Sequence, residues 1–286
     1  MEENSVKTRL YADLTLLVVA FLWGTTFVAS KHALSYATPL FIIAIRFILA
    51  FIVLAVVFRK KIMVQQRSDL KGGIIVGTIL YIAFVTQMIA LQYTSAGKQA
   101  FLAGTYVVMA PFLYWLISKK KPDRRSFIGA VVCFVGIGLL TVNTTFRMGF
   151  GDSLTLFSSL FFAAHIISTG YFAEKQDTII LTVVQFGAVA ILSLISALVF
   201  EPFPTNLALN GIVSMVYLGL FCTCIAYFLQ TVAQKYTIST HAAIILSLEA
   251  VFGSILSVIL LGEAFTLKMV FGCIAIFAAI LITELK

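Results

Sequence analysis

Charged side chains are scarce in this chain, and acidic ones are the scarcest. Of 286 residues, 11% are charged and 61% are hydrophobic, with 12 Asp and Glu against 20 Lys and Arg. A soluble domain usually carries about 25% charged and about 45–50% apolar residues. A water-soluble fold of this length has too little interior to bury such an excess of apolar surface. The composition therefore predicts an integral membrane protein.

Motifs that serve enzymes, metals and ATP-driven machines are also missing. The sequence contains no GxxxxGK[ST] phosphate-binding loop, no HExxH motif and no aspartate in the middle of an apolar run. The four cysteines form no pair of CxxC units, and all lie within apolar runs, where we expect them to be buried small hydrophobic residues. They are Cys133, Cys222, Cys224 and Cys273. We therefore predict a protein that is not an enzyme and that binds neither a metal nor a cofactor.

The formal net charge of +8 does not indicate nucleic acid as a partner. The basic residues fall in short clusters between apolar runs, as in "FRKKI" and "SKKKPDRR". Clusters of this kind are typical of cytoplasmic loops that face anionic lipid. The lipid bilayer is thus the predicted partner of this charge.

Ten apolar stretches are candidates for membrane spans. A helix needs about 20 apolar residues to cross about 30 Å of hydrocarbon. The sequence therefore predicts an all-α bundle of ten transmembrane helices, over roughly residues 12–31, 38–58, 70–91, 96–117, 126–143, 152–172, 178–199, 209–230, 239–261 and 267–284.

The distribution of Lys and Arg predicts the orientation. With the amino terminus placed in the cytoplasm, the cytoplasmic segments hold 15 of these residues and the outer segments hold 4. Positive residues accumulate on the cytoplasmic side of membrane proteins. We therefore expect a multi-pass protein of the cell membrane with both termini in the cytoplasm.

The chain also resembles itself when it is shifted by 143 residues. "YTSAGKQAFLAGTYVVMAPFL" from Tyr93 aligns without a gap on "YTISTHAAIILSLEAVFGSIL" from Tyr236. Each half holds five predicted spans, and because five is odd, the second half must enter the membrane in the opposite orientation. Inverted repeats are typical of secondary transporters, whose sites lie near the bilayer midplane between the halves.

Several motifs now indicate a family. They are "FLWGTTFVASKHAL" in span 1, "RFILA" from Arg46, "LQYTSAGKQAFLAGTYVVMAPFL" before and in span 4, "FFAAHIISTGYFA" in span 6 and "AAIILSLEAVFGSILSVILLGEAFT" in span 9. With them the chain resembles the drug/metabolite transporter superfamily, specifically its EamA-like ten-helix branch. Members often have LEPVF where this chain has Ala250.

The resemblance implies a bundle that moves small metabolites or amino acids, often outward, without hydrolysing nucleotide. It also implies two EamA-like repeats, which we expect at residues 1–148 and 149–286, and we expect a monomer. The predicted function is secondary active export by alternating access, with proton coupling as an option. A passive channel or facilitator, or a lipid-handling membrane protein, is the alternative.

With one exception, the acidic residues lie at the ends of the predicted spans or between them. Asp at such a position accepts hydrogen bonds from the first N–H groups of a helix. We predict this role for Asp13, Asp69, Asp123, Asp152 and Asp177. Glu249 remains as the only acidic residue deep in a span, about 15 Å from its start. Deep ionisable residues are costly and usually face the bundle interior, so Glu249 is predicted to bind substrate or protons; a structural hydrogen bond is the alternative.

Other polar and aromatic residues at mid-depth extend this site. We predict a central chamber lined by spans 1, 3, 4, 6, 8 and 9, because aromatic and polar groups together suit small-molecule sites. Its residues are Trp23, Tyr81, Lys98, Tyr106, His165, Tyr227 and Glu249. The alternative for His165 is a hydrogen bond to a backbone carbonyl of another helix. The alternative for Lys98 is a side chain that extends to the membrane–water interface. Structural or gating roles are predicted for Arg46, Pro111 and Gln185.

Overall fold

The computed structural model of the protein describes residues 2–62, 67–119, 121–141, 148–173, 175–204, 208–233 and 239–284. All regular secondary structure within these ranges is helical. In hydrocarbon every backbone N–H and C=O needs a partner within the protein, and a helix supplies those partners within one segment. The prediction of an all-α membrane protein is thus confirmed. Tyr236 and Thr237, which open the second copy of the sequence repeat, lie outside the described residues.

The helices follow one another in two series. The first series is α1 (Glu2–Ala33), α2 (Pro39–Val57), α3 (Arg59–Ile62), α4 (Arg67–Leu91), α5 (Ala96–Gly104), α6 (Tyr106–Ser118) and α7 (Arg124–Thr141). The second series is α8 (Phe150–Ala173), α9 (Thr178–Phe200), α10 (Leu209–Tyr217), a π-helical segment (Leu218–Ile225), α11 (Ala226–Ala233), α12 (Ser239–Leu261) and α13 (Leu267–Glu284).

Seven segments of the described chain are long and apolar enough to cross a membrane. They are Leu10–Ala33, Pro39–Val57, Leu70–Leu91, Ala96–Leu116, Phe150–Phe172, Thr178–Phe200 and Leu209–Gln230. Two shorter apolar helical segments follow at Ile245–Leu261 and Leu267–Thr283. The protein is therefore a multi-pass membrane protein.

Two of the seven long segments are interrupted, and neither interruption lies at Pro111. The helix of α6 continues through Pro111, and the break in this segment lies at Thr105, between α5 and α6. The other long segment contains the π-helix between α10 and α11. Gly219 in the π-helix lies against α2, where a Cβ atom would be 3.1 Å from the carbonyl oxygen of Arg46. The absence of a side chain there lets the two backbones approach closely.

The packing pattern of the helices is preserved when the two series are exchanged. Three contacts join equivalent helices, namely α2 with α9, α5 with α12, and α7 with α13. The remaining large contacts form matched pairs. The contact of α1 with α12 matches that of α8 with α5 and α6, and the contact of α4 with α9 matches that of α2 with the π-helix and α10. Finally, α4 with α8 matches α1 with α10, the π-helix and α11.

Small residues allow α7 and α13, one from each half, to pack closely. A Cβ atom on Gly136 would lie 3.0 Å from the carbonyl oxygen of Gly272, and one on Gly272 would lie 2.7 Å from the backbone nitrogen of Leu140. In lipid, where apolar side chains gain little by leaving the solvent, such close backbone approach is a main source of helix association.

The predicted aspartate caps are confirmed at two helices. Asp177 precedes α9 and accepts hydrogen bonds from Ile179 N and Ile180 N at 2.9 and 3.3 Å. Asp123 precedes α7 and accepts from Ser126 N at 2.9 Å. The prediction is wrong for Asp13, which lies well inside α1. A side-chain cap at a helix start typically contributes about 1 kcal/mol to stability.

Two glutamates cap helices that are distant in sequence. The carboxylate of Glu201, after α9, accepts hydrogen bonds from Leu40 N and Phe41 N at the start of α2. That of Glu263, after α12, accepts from Ala96 N at 2.7 Å and Gly97 N at 2.9 Å at the start of α5. Each carboxylate therefore binds N–H groups that have no acceptor within their own helix, and it ties that helix to one of the other half.

Candidate substrate-binding site

Glu249 lies in α12 and is 7% exposed, as its position in a long apolar run predicts. Tyr106, the first residue of α6 after the break at Thr105, donates a hydrogen bond to its carboxylate. Tyr106 is also the residue that the 143-residue shift aligns with Glu249. The two predicted site residues thus meet where the equivalent segments α5–α6 and α12 come together, a point that we call the centre of the site.

Tyr227 joins this centre from α11, directly after the π-helix. Its ring centroid lies 5.2 Å from that of Trp23 and 5.5 Å from that of Phe186. Gly24, next to Trp23, lies against α12, where a Cβ atom would be 3.1 Å from the carbonyl oxygen of Glu249. Trp23 is held by a hydrogen bond of 3.2 Å from its Nε1 to the carbonyl oxygen of Cys222. The structure thus brings together four of the seven predicted chamber residues.

Arg46 enters the same region from α2, although the sequence indicates only a structural or gating role for it. The side chain is 3% exposed, and its Nε donates a hydrogen bond to the Thr223 hydroxyl. Its Cζ atom lies 4.7 Å from the ring centroid of Phe84, in a cation–π contact. Thr223 and Phe84 were not predicted as site residues, because an isolated Thr or Phe in an apolar span gives no signal of its own.

His165 and Gln185 form a separate buried pair between α8 and α9. The Nε2 atom of His165 lies 2.9 Å from Oε1 of Gln185, to which it donates. Thr169 Oγ1 lies 3.4 Å from the same nitrogen. The pair therefore satisfies the polar groups of two helices in the bundle interior. His165 interacts with Gln185 rather than with Glu249.

Lys98 also has a partner other than Glu249. Its Nζ atom lies 2.6 Å from Oδ2 of Asp152, and Thr94 Oγ1 donates to Oδ1 of the same carboxylate at 2.6 Å. The side chains of Lys98 and Asp152 are 20% and 4% exposed. The prediction that Asp152 caps α8 is wrong, because its two oxygens bind side chains of the α4–α5 region. This ion pair ties the start of α5 to the start of α8.

Tyr81, the remaining predicted chamber residue, lies on α4 and contacts α9. Its hydroxyl is 2.5 Å from Ser196 Oγ. Ser196 Oγ itself donates to the carbonyl oxygen of Leu192, so Tyr81 is the donor in this pair. The contact is thus a polar link between two helices, apart from the group formed by Glu249, Tyr106, Tyr227 and Trp23.

Two apolar clefts lie away from these polar groups. One, of about 490 Å³, is lined by α5, α12 and α13, and the other, of about 510 Å³, is lined by α6, α7 and one residue of α8. Their linings contain neither Glu249 nor Arg46 and consist almost wholly of apolar side chains. The clefts occupy equivalent positions, since the 143-residue shift relates Val108 to Val251, Phe112 to Ile255 and Phe134 to Phe277.

Comparison with known proteins identifies the family. The profile of the EamA-like transporter family matches residues 10–142 and, a second time, residues 149–285. The chain belongs to the EamA-like transporter family. As a member with two copies of the family unit, it is a membrane transporter and not an enzyme.

Named relatives of this EamA-like transporter agree. An "uncharacterized transporter" of Archaeoglobus fulgidus is 34% identical over 278 residues, which cover 97% of this chain and 87% of the relative. An "S-adenosylmethionine/S-adenosylhomocysteine transporter" of Chlamydia muridarum is 24% identical over 275 residues, covering 88% of this chain and 85% of that protein. A solved crystal structure superposes with a TM-score of 0.67 at 17% identity, covering 95% and 96% of the two chains, and shares the fold.

Proposed function

We propose that this EamA-like transporter is a proton-coupled secondary active exporter of amino acids or small metabolites in the cell membrane. The observation that carries the proposal is the contact of Glu249 with Tyr106 at the crossing of the two halves. A carboxyl group at this position lies where a change in the relative tilt of the halves alters its access to water. Access to water decides whether such a group keeps its proton.

The proposed architecture is ten spans in two inverted halves, residues 1–148 and 149–286, with both termini in the cytoplasm. In this architecture α7, α12 and α13 are the three crossings in addition to the seven long apolar segments. The packing pattern that survives exchange of the halves supports a two-fold relation between them. An odd number of crossings in each half makes that relation an inversion, as in many secondary transporters.

Alternating access requires that the contacts closing one end can break. In the proposed orientation the pairs at the starts of α5 and α8 lie at the outer end. There Lys98 binds Asp152, Glu263 binds Ala96 N and Gly97 N, and Lys31 Nζ donates to the carbonyl oxygens of Leu91 and Thr94 at 2.6 and 2.8 Å. We propose that these bonds form the outer gate. They are polar, so water can replace them when the gate opens.

The amino-acid part of the proposed substrate class is supported by the charges and rings around the centre. Glu249 offers a negative group, Arg46 a positive one, and Trp23 and Tyr227 an aromatic wall. A relative named as a transporter of S-adenosylmethionine and S-adenosylhomocysteine supports metabolites that contain an amino acid. The proposed substrate therefore combines opposite charges with an apolar or aromatic body.

Reconstitution into liposomes tests the function. Vesicles would be preloaded with S-adenosylhomocysteine or single L-amino acids, and uptake of the same radiolabelled compound would be followed with and without a pH gradient. We expect counterflow of at least one compound. We also expect this compound to accumulate faster when the vesicle interior is acidic, because protons then leave the vesicle down their gradient as the compound enters. Uptake that persists without counterflow acceleration and ignores the gradient would instead indicate a passive facilitator.

A further inference from the structure

Arg46 is a buried cation for which the fold provides no acidic partner among the described residues. It is the eighth residue of α2, about 10 Å from the start of that helix. A charged guanidinium at this depth is costly unless an anion or several acceptors compensate it. Its contacts are the hydroxyl of Thr223 and the rings of Phe84 and Phe47, all of which are neutral.

These contacts orient the guanidinium but leave its charge uncompensated. Nε donates to Thr223, and the Phe84 ring lies 4.7 Å from Cζ. The two terminal nitrogens carry the other four N–H groups and form a planar fork. A carboxylate is the acceptor that matches this fork, because its two oxygens can take two parallel hydrogen bonds.

The π-helix positions the hydroxyl that holds Arg46. Thr223 Oγ1 donates to the carbonyl oxygen of Leu218, five residues earlier, at 2.9 Å, so it accepts the hydrogen bond from Arg46. Segments of π-helix inside α-helices are frequent at functional sites. Here the segment brings Thr223 against α2 and Tyr227 against Trp23 on adjoining turns.

Arg46 and Glu249 approach Tyr227 from different helices. Arg46 binds Thr223, one turn before Tyr227. The Glu249 carbonyl oxygen lies 3.1 Å from where a Cβ atom of Gly24 would be, next to the Trp23 ring that packs on Tyr227. Among the described residues no ion pair joins Arg46 to Glu249. Opposite charges near one aromatic wall that do not neutralise one another are complementary to a zwitterion. From this geometry we propose that Arg46 binds the carboxylate of an α-amino acid, or of an amino-acid-containing metabolite, whose ammonium group faces Glu249.

This proposal rests on the transport function proposed above and adds to it the group that selects the substrate. Arg46 is then a specificity-determining residue, and Thr223 is a positioning residue that acts through it. Compounds with a free carboxylate are bound, and the same compounds with a methyl ester are bound poorly because an ester is neutral and accepts weaker hydrogen bonds. A purely structural Arg46 would tie α2 to the π-helix without telling acid from ester.

The test compares free acids with their methyl esters on the purified protein in nanodiscs. The probes are S-adenosylhomocysteine, L-tryptophan and L-methionine, each with its methyl ester, and the readout is the ratio of the two dissociation constants. In the wild-type protein the acid should bind about 10- to 100-fold more tightly than its ester, the usual effect of a charged hydrogen-bonded pair. In Arg46→Gln the ratio should fall to about one, because only acid binding is lost.

Three further variants separate recognition from folding. Arg46→Lys keeps the charge and should retain part of the ratio, and Thr223→Val frees the guanidinium and should lower the ratio less than Arg46→Gln does. Lys61→Gln removes an exposed positive charge in α3, the short helix after α2, and should leave the ratio unchanged. Unaltered ester binding by Arg46→Gln would show that this variant is folded.

The inference and the transport function can fail separately. Equal binding of acid and ester by the wild-type protein, or an undiminished ratio in Arg46→Gln, would overturn the role of Arg46 while counterflow in liposomes still supports transport. Failure of the wild-type protein both to bind and to exchange any of the amino-acid probes would overturn the inference together with the proposed substrate class.

Discussion

Tyr106 and Glu249 occupy the same position in the two repeats, and Tyr106 donates a hydrogen bond to the Glu249 carboxylate. In the proposed two-fold arrangement of the halves, a contact between equivalent residues lies on or near the axis. One half contributes a carboxyl group, and the other contributes a hydroxyl that can act as hydrogen-bond donor or acceptor. The repeats are thus alike in packing and unlike in chemistry at this contact.

Removing the hydroxyl of Tyr106 tests this contact. In Tyr106→Phe the Glu249 carboxyl group loses a hydrogen bond, which typically contributes about 0.5–1.5 kcal/mol. We expect counterflow of a transported amino acid to slow by up to about tenfold and its pH profile to move, while the protein remains folded. Tyr11→Phe, which alters an exposed tyrosine of α1, is the matched control and should change neither quantity. An identical pH profile in both variants would show that Tyr106 does not act on Glu249.

The pair of Lys98 and Asp152 should respond to mutation as a unit. Lys98→Gln leaves a buried carboxylate without its cation, and Asp152→Asn leaves the cation without its carboxylate. Breaking a buried pair by removing one partner typically costs about 3–5 kcal/mol when burial is complete, and less here because Lys98 is 20% exposed. We expect each single change to lower the melting temperature in detergent by several degrees. Each should also speed the thiol labelling of a cysteine introduced next to the pair. The double variant should recover part of the loss, whereas strictly additive losses would mean that the two residues are not coupled.

Two glycines of α7 provide a matched test of helix packing. A Cβ atom on Gly136 would lie 2.8 Å from a side-chain carbon of Ile276 and 2.9 Å from the backbone nitrogen of that residue, whereas one on Gly138 would meet nothing within 4 Å. Gly136→Ala should therefore destabilise the α7–α13 contact by about 1–3 kcal/mol. Gly138→Ala should be neutral or slightly stabilising, because alanine favours the helix. Thermal unfolding measures both, and equal melting temperatures for the two variants would argue against close packing of α7 on α13.

The charge of Asp177 should contribute to stability in a defined pH range. Partial burial alone would raise the pKa of Asp177, but hydrogen bonds from Lys61, Ile180 N and Ile179 N and the charge of Lys61 together lower the pKa below its ordinary value of 3.8. The ionised form therefore stabilises the fold, fully above pH 3.8, and this contribution is lost as the pH falls through the lowered pKa.

Asp177→Asn keeps a capping side chain and removes the charge, so it isolates this contribution. Melting temperatures of the wild-type protein and the variant should differ at pH 6 and converge as the pH falls below 3.8. Because Asp177 and Lys61 are both more than a third exposed, the difference should be modest and should shrink in high salt. A constant difference at every pH would contradict the assignment of the effect to ionisation.

The fold could be predicted further from the sequence than the site could. Long apolar runs indicate where helices lie, and Asp177 marks the start of α9, because both are local properties of the chain. The partner of Lys98 could not be predicted, since Asp152 is 54 residues away and meets it only through the packing of α5 on α8. The break at Thr105 and the π-helix around Thr223 could not be predicted either. Gly104 and Gly219 lie at these interruptions, but Gly136 and Gly138 lie within the uninterrupted helix α7, so a glycine alone does not mark a break.

Within the site, burial was easier to predict than contact. Glu249, Tyr106, Trp23 and Tyr227 were expected in one chamber because all lie at mid-depth, and the structure groups them. His165 and Tyr81 share that depth but point to other partners, Gln185 and Ser196. Depth follows from position along a span, whereas the direction of a side chain depends on the rotation of its helix against its neighbours. For the same reason Arg46 was expected to be structural, although it lies beside Tyr227.

The central claim, that Glu249 couples proton movement to transport, is tested most directly by Glu249→Gln in liposomes. The substitution keeps the shape of the side chain and removes its ability to ionise. For an amino acid that the wild-type protein exchanges, counterflow and pH-gradient-driven uptake would be measured in parallel for both proteins over a range of pH. The account predicts that the variant loses gradient-driven accumulation and that its remaining exchange no longer depends on pH. Full gradient-driven transport with an unchanged pH profile in Glu249→Gln would contradict it.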